Sequence, residues 1–134
     1  MTAVVSVTYD KDDDLIVQHI QGDMTLDDFD KLERYTAECV AKMTDPSSVR
    51  ILVDAREIRR LNQRVRKHSI RRMKDAHHGE RVHLALWGAS PLESMFLRFL
   101  EIVRGEGFVK PFPTEQEARA WLRSLRTAPG VNHG

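Results

Sequence analysis

The chain has 134 residues, 41% of them hydrophobic, and a formal net charge of +1. That length matches one domain and buries roughly two-thirds of its unfolded surface, so one self-sufficient core is expected without staples. The single cysteine, Cys39, excludes an internal disulfide and a Cys-based zinc knuckle and fits a reducing, cytoplasmic setting.

In chain order, Val4 to Tyr9 alternates loosely and predicts a strand, and Asp10 to Asp14 is a polar turn. Leu15 to Gln21 predicts a second strand, antiparallel to the first because the connection is so short, and Gly22-Asp23 ends it. Thr25 caps a helix with Asp28 at N3. Leu26, Phe29, Leu32, Thr36, Cys39, Val40 and Met43 form its inward stripe, and Asp27, Asp28 and Asp30 suit its positive first turn. Val49 to Ala55 is a nearly all-apolar strand, which predicts a central position covered on both faces. From Arg56 to about Leu61 the pattern predicts a loop, then a helix capped by Asn62 and ended by His77-His78-Gly79.

Val82 to Trp87 is a fourth strand, followed by a Gly88-Ala89-Ser90 turn. Ser90 at the N-cap, Pro91 at N1 and Glu93 at N3 open a third helix that runs to about Arg104. Phe108 to Phe112 predicts an edge strand marked by Pro111, and Thr114 opens the last helix in a capping box with Glu117. The order β-β-α-β-α-β-α-β-α predicts a single α/β domain over residues 1–125. Its expected form is a five-stranded mixed sheet flanked by four helices, with a loose tail over 126–134.

Catalytic signatures are poor, and no enzyme activity is expected. Ser90 sits where a nucleophile elbow would place a serine, but that motif needs a glycine two residues later, where Leu92 stands. Pro91 removes a backbone donor beside it, and His133 is the only later histidine. Capping already explains Ser90. His77 and His78 are adjacent and diverge on a helix, so no metal is expected, and with no GxGxxG and no phosphate loop no cofactor is expected either.

Binding features are better supported. The turn Gly88, Ala89, Ser90 has the free N–H groups of a helix start, and Arg56, Arg59, Arg60 and Asn62 leave the carboxyl end of strand three. If strands three and four are parallel neighbours, both sets line one rim and suit an anion. The near-zero net charge also hides an asymmetry. Residues 1–45 carry eleven Asp/Glu against four Lys/Arg, whereas 56–74 carry nine Lys/Arg against Glu57 alone. Arg64, Lys67, Arg71 and Lys74 form one cationic stripe, equally suited to an acidic protein partner or a membrane surface. Nucleic acid is the weaker match, because no aromatic residue is at hand to stack a base. Met95, Leu97 and Ile102 help make the third helix apolar around much of its circumference, as for a homodimer or a lipid-like ligand slot. No apolar run approaches the roughly 18–20 residues of a membrane span, and the amino terminus lacks signal-peptide character.

Three segments, ILVDARE (51–57), VHLALWGASP (82–91) and FVKPFPTEQEARAWL (108–122), resemble the SpoIIAA-like proteins of the STAS (anti-sigma-factor-antagonist) superfamily. The resemblance runs from about Val4 to Leu125. It implies a mixed sheet flanked by helices, overlapping with the CRAL-TRIO type of lipid carrier, and a non-enzymatic regulatory or ligand-binding role. It also implies a phosphorylatable Ser or Thr where the central strand passes into the next helix. Here Ala55 to Lys67 contains neither, and Ser69 is the nearest. The expectation is a cytoplasmic STAS-like module acting through protein–protein contact without that switch. The alternative is a carrier or sensor of a small anionic or amphiphilic ligand.

Overall fold

An acidic hairpin begins the fold. Strand β1 (Val4–Asp10) pairs antiparallel with β2 (Leu15–Met24), from Val4 opposite Gln21 to Asp10 opposite Leu15. The turn closes through Asp14 at φ 53°, a left-handed conformation that aspartate tolerates better than most residues. The computed structural model describes residues 4–44, 48–61, 67, 82–88 and 109–125, and of 58–61 only the backbone. After the hairpin come α1 (Leu26–Val40), β3 (Val49–Leu61), β4 (Val82–Trp87), β5 (Val109–Phe112) and α2 (Glu115–Ser124). The sheet order is β1-β2-β3-β4-β5, with every pair after the hairpin parallel.

This is the expected five-stranded mixed sheet, with the apolar β3 at its centre and the proline-bearing β5 at an edge. Two helices lie among the described residues. The other two expected, from Asn62 and from Pro91 to Arg104, lie outside them, as does the 126–134 tail. Lys67 alone of the basic helix is described, and it is helical and exposed.

Residues 56–61 correct the sequence reading. They are not a loop, because β3 continues to Leu61, and β2 likewise passes Gly22-Asp23 to reach Met24. Each strand is held by the other: Gln21 pairs with Glu57, Gly22 with Ile58, Asp23 with Arg60 and Met24 with Leu61. The ladder shifts register between His19 and Gln21 and again between Gly22 and Asp23, and Gly22 takes φ 96°. Charged residues and a glycine read as terminators by propensity, but inter-strand hydrogen bonding outweighs propensity where a neighbour is present.

Alternation along the strands divides the core into two layers. Ile16, Ile20, Ile51 and Val53 face α1 and pack with its Leu32 and Cys39 and with the following Met43. Leu15, Leu52 and Ala85 point the opposite way and meet Ala118 and Leu122 of α2. On the α1 side, buried Gln18 donates to Thr36 Oγ1 at 2.9 Å, and Thr36 in turn donates to the Leu32 carbonyl, which gives a polar member of the stripe its purpose. Thr25 and Asp28 complete a reciprocal capping box on α1. At α2, the Glu117 N–H donates to Thr114 Oγ1, while the Glu117 carboxylate takes the threonine hydroxyl itself.

Two ionic clusters fix the amino-terminal ends of the strands. Arg50, fully buried, donates through Nη2 to the Asp14 carbonyl at 2.9 Å and to its carboxylate at 3.3 Å. The Tyr9 hydroxyl and the Thr44 N–H donate to the other carboxylate oxygen of Asp14. The acidic turn also docks α2, since Arg119 bonds Asp10, Asp13 and Glu115 at 2.8–2.9 Å and Arg123 reaches Asp13.

Candidate functional site

On the α2 face, one row of side chains crosses four strands: His19 of β2 lies opposite Asp54 of β3, which lies opposite Trp87 of β4, which lies opposite Phe112 of β5. Row neighbours share a face because side chains alternate with period two. Arg56 follows Asp54 on that same face and turns back on it. Its backbone N–H and Nε donate to Asp54 Oδ1 at 3.1 and 3.0 Å, and Nη2 donates to Oδ2 at 2.9 Å. His19 Nδ1 lies 2.9 Å from the same Oδ2.

Trp87 and Gly88 complete the setting. The Arg56 guanidinium lies over the indole, 4.3 Å from the ring centroid, within the range of a cation–π contact. Gly88 then leaves the strand at φ 77°, and a Cβ there would come within 2.4 Å of Arg56 Cγ. Glycine is therefore required twice over, for its backbone conformation and for the space that the arginine stem occupies.

The electrostatics follow from burial. Partial burial works to raise the Asp54 carboxyl, but the Arg56 guanidinium and backbone N–H, aided by His19, outweigh it and hold Asp54 below the ordinary aspartate value. In return, donating hydrogen bonds to Asp54 raises Arg56, against a smaller opposing effect of desolvation. Asp54 is thus an ionised, nearly buried anchor with two cation-capable side chains on it. Arg56 stays 55% exposed and His19 39% exposed. The donors of this cluster are directed to Asp54, while the Arg56 and His19 side chains both remain open to solvent. No set of three or more His, Cys, Asp or Glu that could hold a metal ion occurs among the described residues.

Of the residues singled out in the sequence, Arg56 stands at the rim, as a strand residue and not a loop residue. Arg59 and Arg60 are also on β3, their side chains outside the description. Gly88 belongs to the cluster through its shape, and its N–H is directed to the Phe112 carbonyl at 3.1 Å, so it is not an open anion donor. Asn62, Ala89, Ser90, Arg64, Arg71, Lys74, Met95, Leu97 and Ile102 lie outside the described residues. His19, Asp54 and Trp87 were not singled out. Their signal is an interruption: Leu15-Val17-His19 and Leu52-Asp54-Arg56 each turn from apolar to ionisable along one face.

A central strand flanked by parallel neighbours, an antiparallel hairpin strand at one edge and helices on the two faces define a STAS-type α/β domain. The family model described as SpoIIAA-like matches residues 15–123, and the chain belongs to that family. Its fold is similar to the crystal structure of an uncharacterized protein of the DUF3478 family, with a SpoIIAA-like fold, from Shewanella loihica PV-4. The TM-score is 0.65 at 18% identity, over 90% of this chain and 93% of that one. No curated protein matches the chain.

Proposed function

We propose that this protein is a non-catalytic STAS-type binding module that recognises an acidic protein segment through Arg56. One observation carries the reading: Arg56 is more than half exposed, yet Asp54, Trp87 and the space left by Gly88 all fix its position. An exposed arginine ordinarily samples many rotamers and loses that freedom on binding. One already held in place loses less, and the guanidinium N–H groups that Asp54 does not take can meet a carboxylate. The basic run continuing along β3 adds long-range attraction for an acidic partner. The lack of Ser and Thr between Ala55 and Lys67 favours a constitutive binder over one switched by phosphate in that segment.

The test is fluorescence anisotropy with a labelled oligoglutamate peptide. Saturable binding that weakens with salt is expected. Arg56→Ala should lower the affinity about tenfold or more, the scale of a lost hydrogen bond to a charged group. Equal binding by Arg56→Ala and the parent protein would overturn the reading.

A further inference from the structure

Strand β1 is the outer strand of the sheet, and its far edge has no strand beside it among the described residues. Such an edge is a template for another strand, and proteins ordinarily blunt it with proline, lysine, a bulge or a short length. The opposite edge is blunted in this way, because β5 has four residues and carries Lys110 and Pro111. β1 has none of these devices. It is VVSVTYD, with no basic residue, glycine or proline, and its seven pairs with β2 run without a register shift. Valine and threonine, which favour strands, fill most of it. Its apolar row is also incompletely covered: Val5, Val7 and Tyr9 pack on the α1 core yet stay half-buried, and Val4 is 60% exposed.

We propose that β1 is a dimer joint. A second copy of this chain adds its own β1 antiparallel to this one, about a two-fold axis at Val7, and the two sheets join into one of ten strands.

Sequence and charge select that occupant and that register. Residues opposed across the joint lie on the same face, so each must meet a residue an even number of positions away, or itself. The axis at Val7 uses the whole strand: Val7 meets Val7, Val5 meets Tyr9, Ser6 meets Thr8 and Val4 meets Asp10. An aromatic with a β-branched residue and a hydroxyl with a hydroxyl are favourable cross-strand pairs, and no like charges are opposed. Parallel pairing would instead bring the two acidic turns, Asp10 to Asp14, side by side. Antiparallel pairing sets the two Asp10 residues at opposite ends of the joint, roughly 20 Å apart at about 3.3 Å per residue.

A seven-residue strand pair alone falls short of the roughly 1,200 Å² that stable interfaces bury. Helix α1 adds to it, because α1 packs on both β1 and β2. The two α1 copies then lie two to three strand spacings apart, roughly 10–14 Å, where the long side chains of antiparallel helices meet. The contact stays at the small end of interfaces, so dissociation in the micromolar range is expected. An axis perpendicular to the sheet keeps like faces together, so the dimer carries two Arg56 side chains on one broad face. The joint itself does not depend on what Arg56 binds.

Analytical ultracentrifugation of the full chain from about 1 μM to about 1 mM tests this. The parent should pass from monomer to dimer in that range and go no further, because a two-fold joint closes on itself. Ser6→Lys with Thr8→Lys changes two exposed residues and opposes lysine with lysine on both sides of Val7. It should weaken association about tenfold or more. Ser6→Lys with Thr8→Glu opposes lysine with glutamate in the same register and should associate at least as tightly as the parent. In the parent, amide exchange over Val4–Asp10 should slow as concentration rises, a reading that needs no variant. A parent that stays monomeric throughout sinks the proposal. So does a dimer that Ser6→Lys with Thr8→Lys leaves intact, since the joint then lies on another face. Equal disruption by both double changes rules out pairing about Val7.

Discussion

Arg56 Cγ lies 2.4 Å from the point where a Cβ on Gly88 would stand. The two residues come from neighbouring strands and share one small space beside Trp87, so the shape of the β4 turn sets the pose of the arginine.

Gly88→Ala must therefore both strain the backbone, at φ 77°, and push the Arg56 stem away. A loss of about 1–3 kcal/mol is expected, the usual cost of an alanine in left-handed space together with a local clash. Urea unfolding followed by tryptophan emission measures it. Oligoglutamate binding should fall further than the stability change alone explains, and a variant with the parent's melting and binding would contradict the geometry.

Arg56→Lys separates shape from charge. Lysine keeps the positive charge but has neither the planar fork for Asp54 nor the face for Trp87. It should bind the acidic peptide nearly as weakly as Arg56→Ala and lower thermal stability modestly, because Asp54 loses the fork that holds it while a positive charge stays near. Recovery of most of the affinity by lysine would show that charge alone suffices.

The buried pair at the other end of the strands is structural. Arg50→Met removes two hydrogen bonds from Asp14, a carboxylate with no solvent exposure, and a loss of about 3–5 kcal/mol is expected. Guanidinium titration reads it. Asp14→Asn with Arg50→Met should cost less than the two single changes added together.

Arg119 joins α2 to the acidic turn through Asp10, Asp13 and Glu115, and Arg119→Ala should cost about 1–3 kcal/mol. Because Arg123, the other cation on Asp13, is half exposed, part of this network is screened, and the cost should shrink at high salt. A salt-independent loss would mean that the Arg119 stem matters through packing instead.

Acid should weaken the fold in a defined window. Asp13, held down by its hydrogen bond from Arg123 against some desolvation, and Asp54 both sit below the ordinary aspartate value in the folded chain. A depressed folded value means that the contribution is present above the unfolded value of about 3.9 and is lost as pH falls through the folded one. Stability should hold from neutrality to about pH 5 and decline below about pH 4, and Asp54→Asn should flatten that decline. An unchanged acid slope in this variant would remove Asp54 from the account.

Much of the architecture could be read along the chain, because periodicity reports which side of an element is covered. The apolar run at Val49–Ala55 placed β3 at the centre, Pro111 put β5 at an edge, and Thr25 with Asp28 fixed the start of α1. The second half of β3 was not readable, since AREIRRL has the look of a solvated loop and becomes strand only beside the equally unpromising end of β2. The site was half legible. Arg56 stood out by charge, whereas His19 and Asp54 are 35 positions apart, and only the register of two parallel strands joins them.

The Asp14–Arg50 pair has a consequence for how such a protein can change. Along β2, His19 lies roughly 16 Å from Asp14, at about 3.3 Å per residue, with Leu15, Ile16 and the core layers between them. The hairpin and the start of β3 are fastened below, so a replacement at His19 or Arg56 alters the exposed rim without loosening the foundation. The two ends of the sheet can then vary separately, the rim changing while the strands stay tied at their amino-terminal ends.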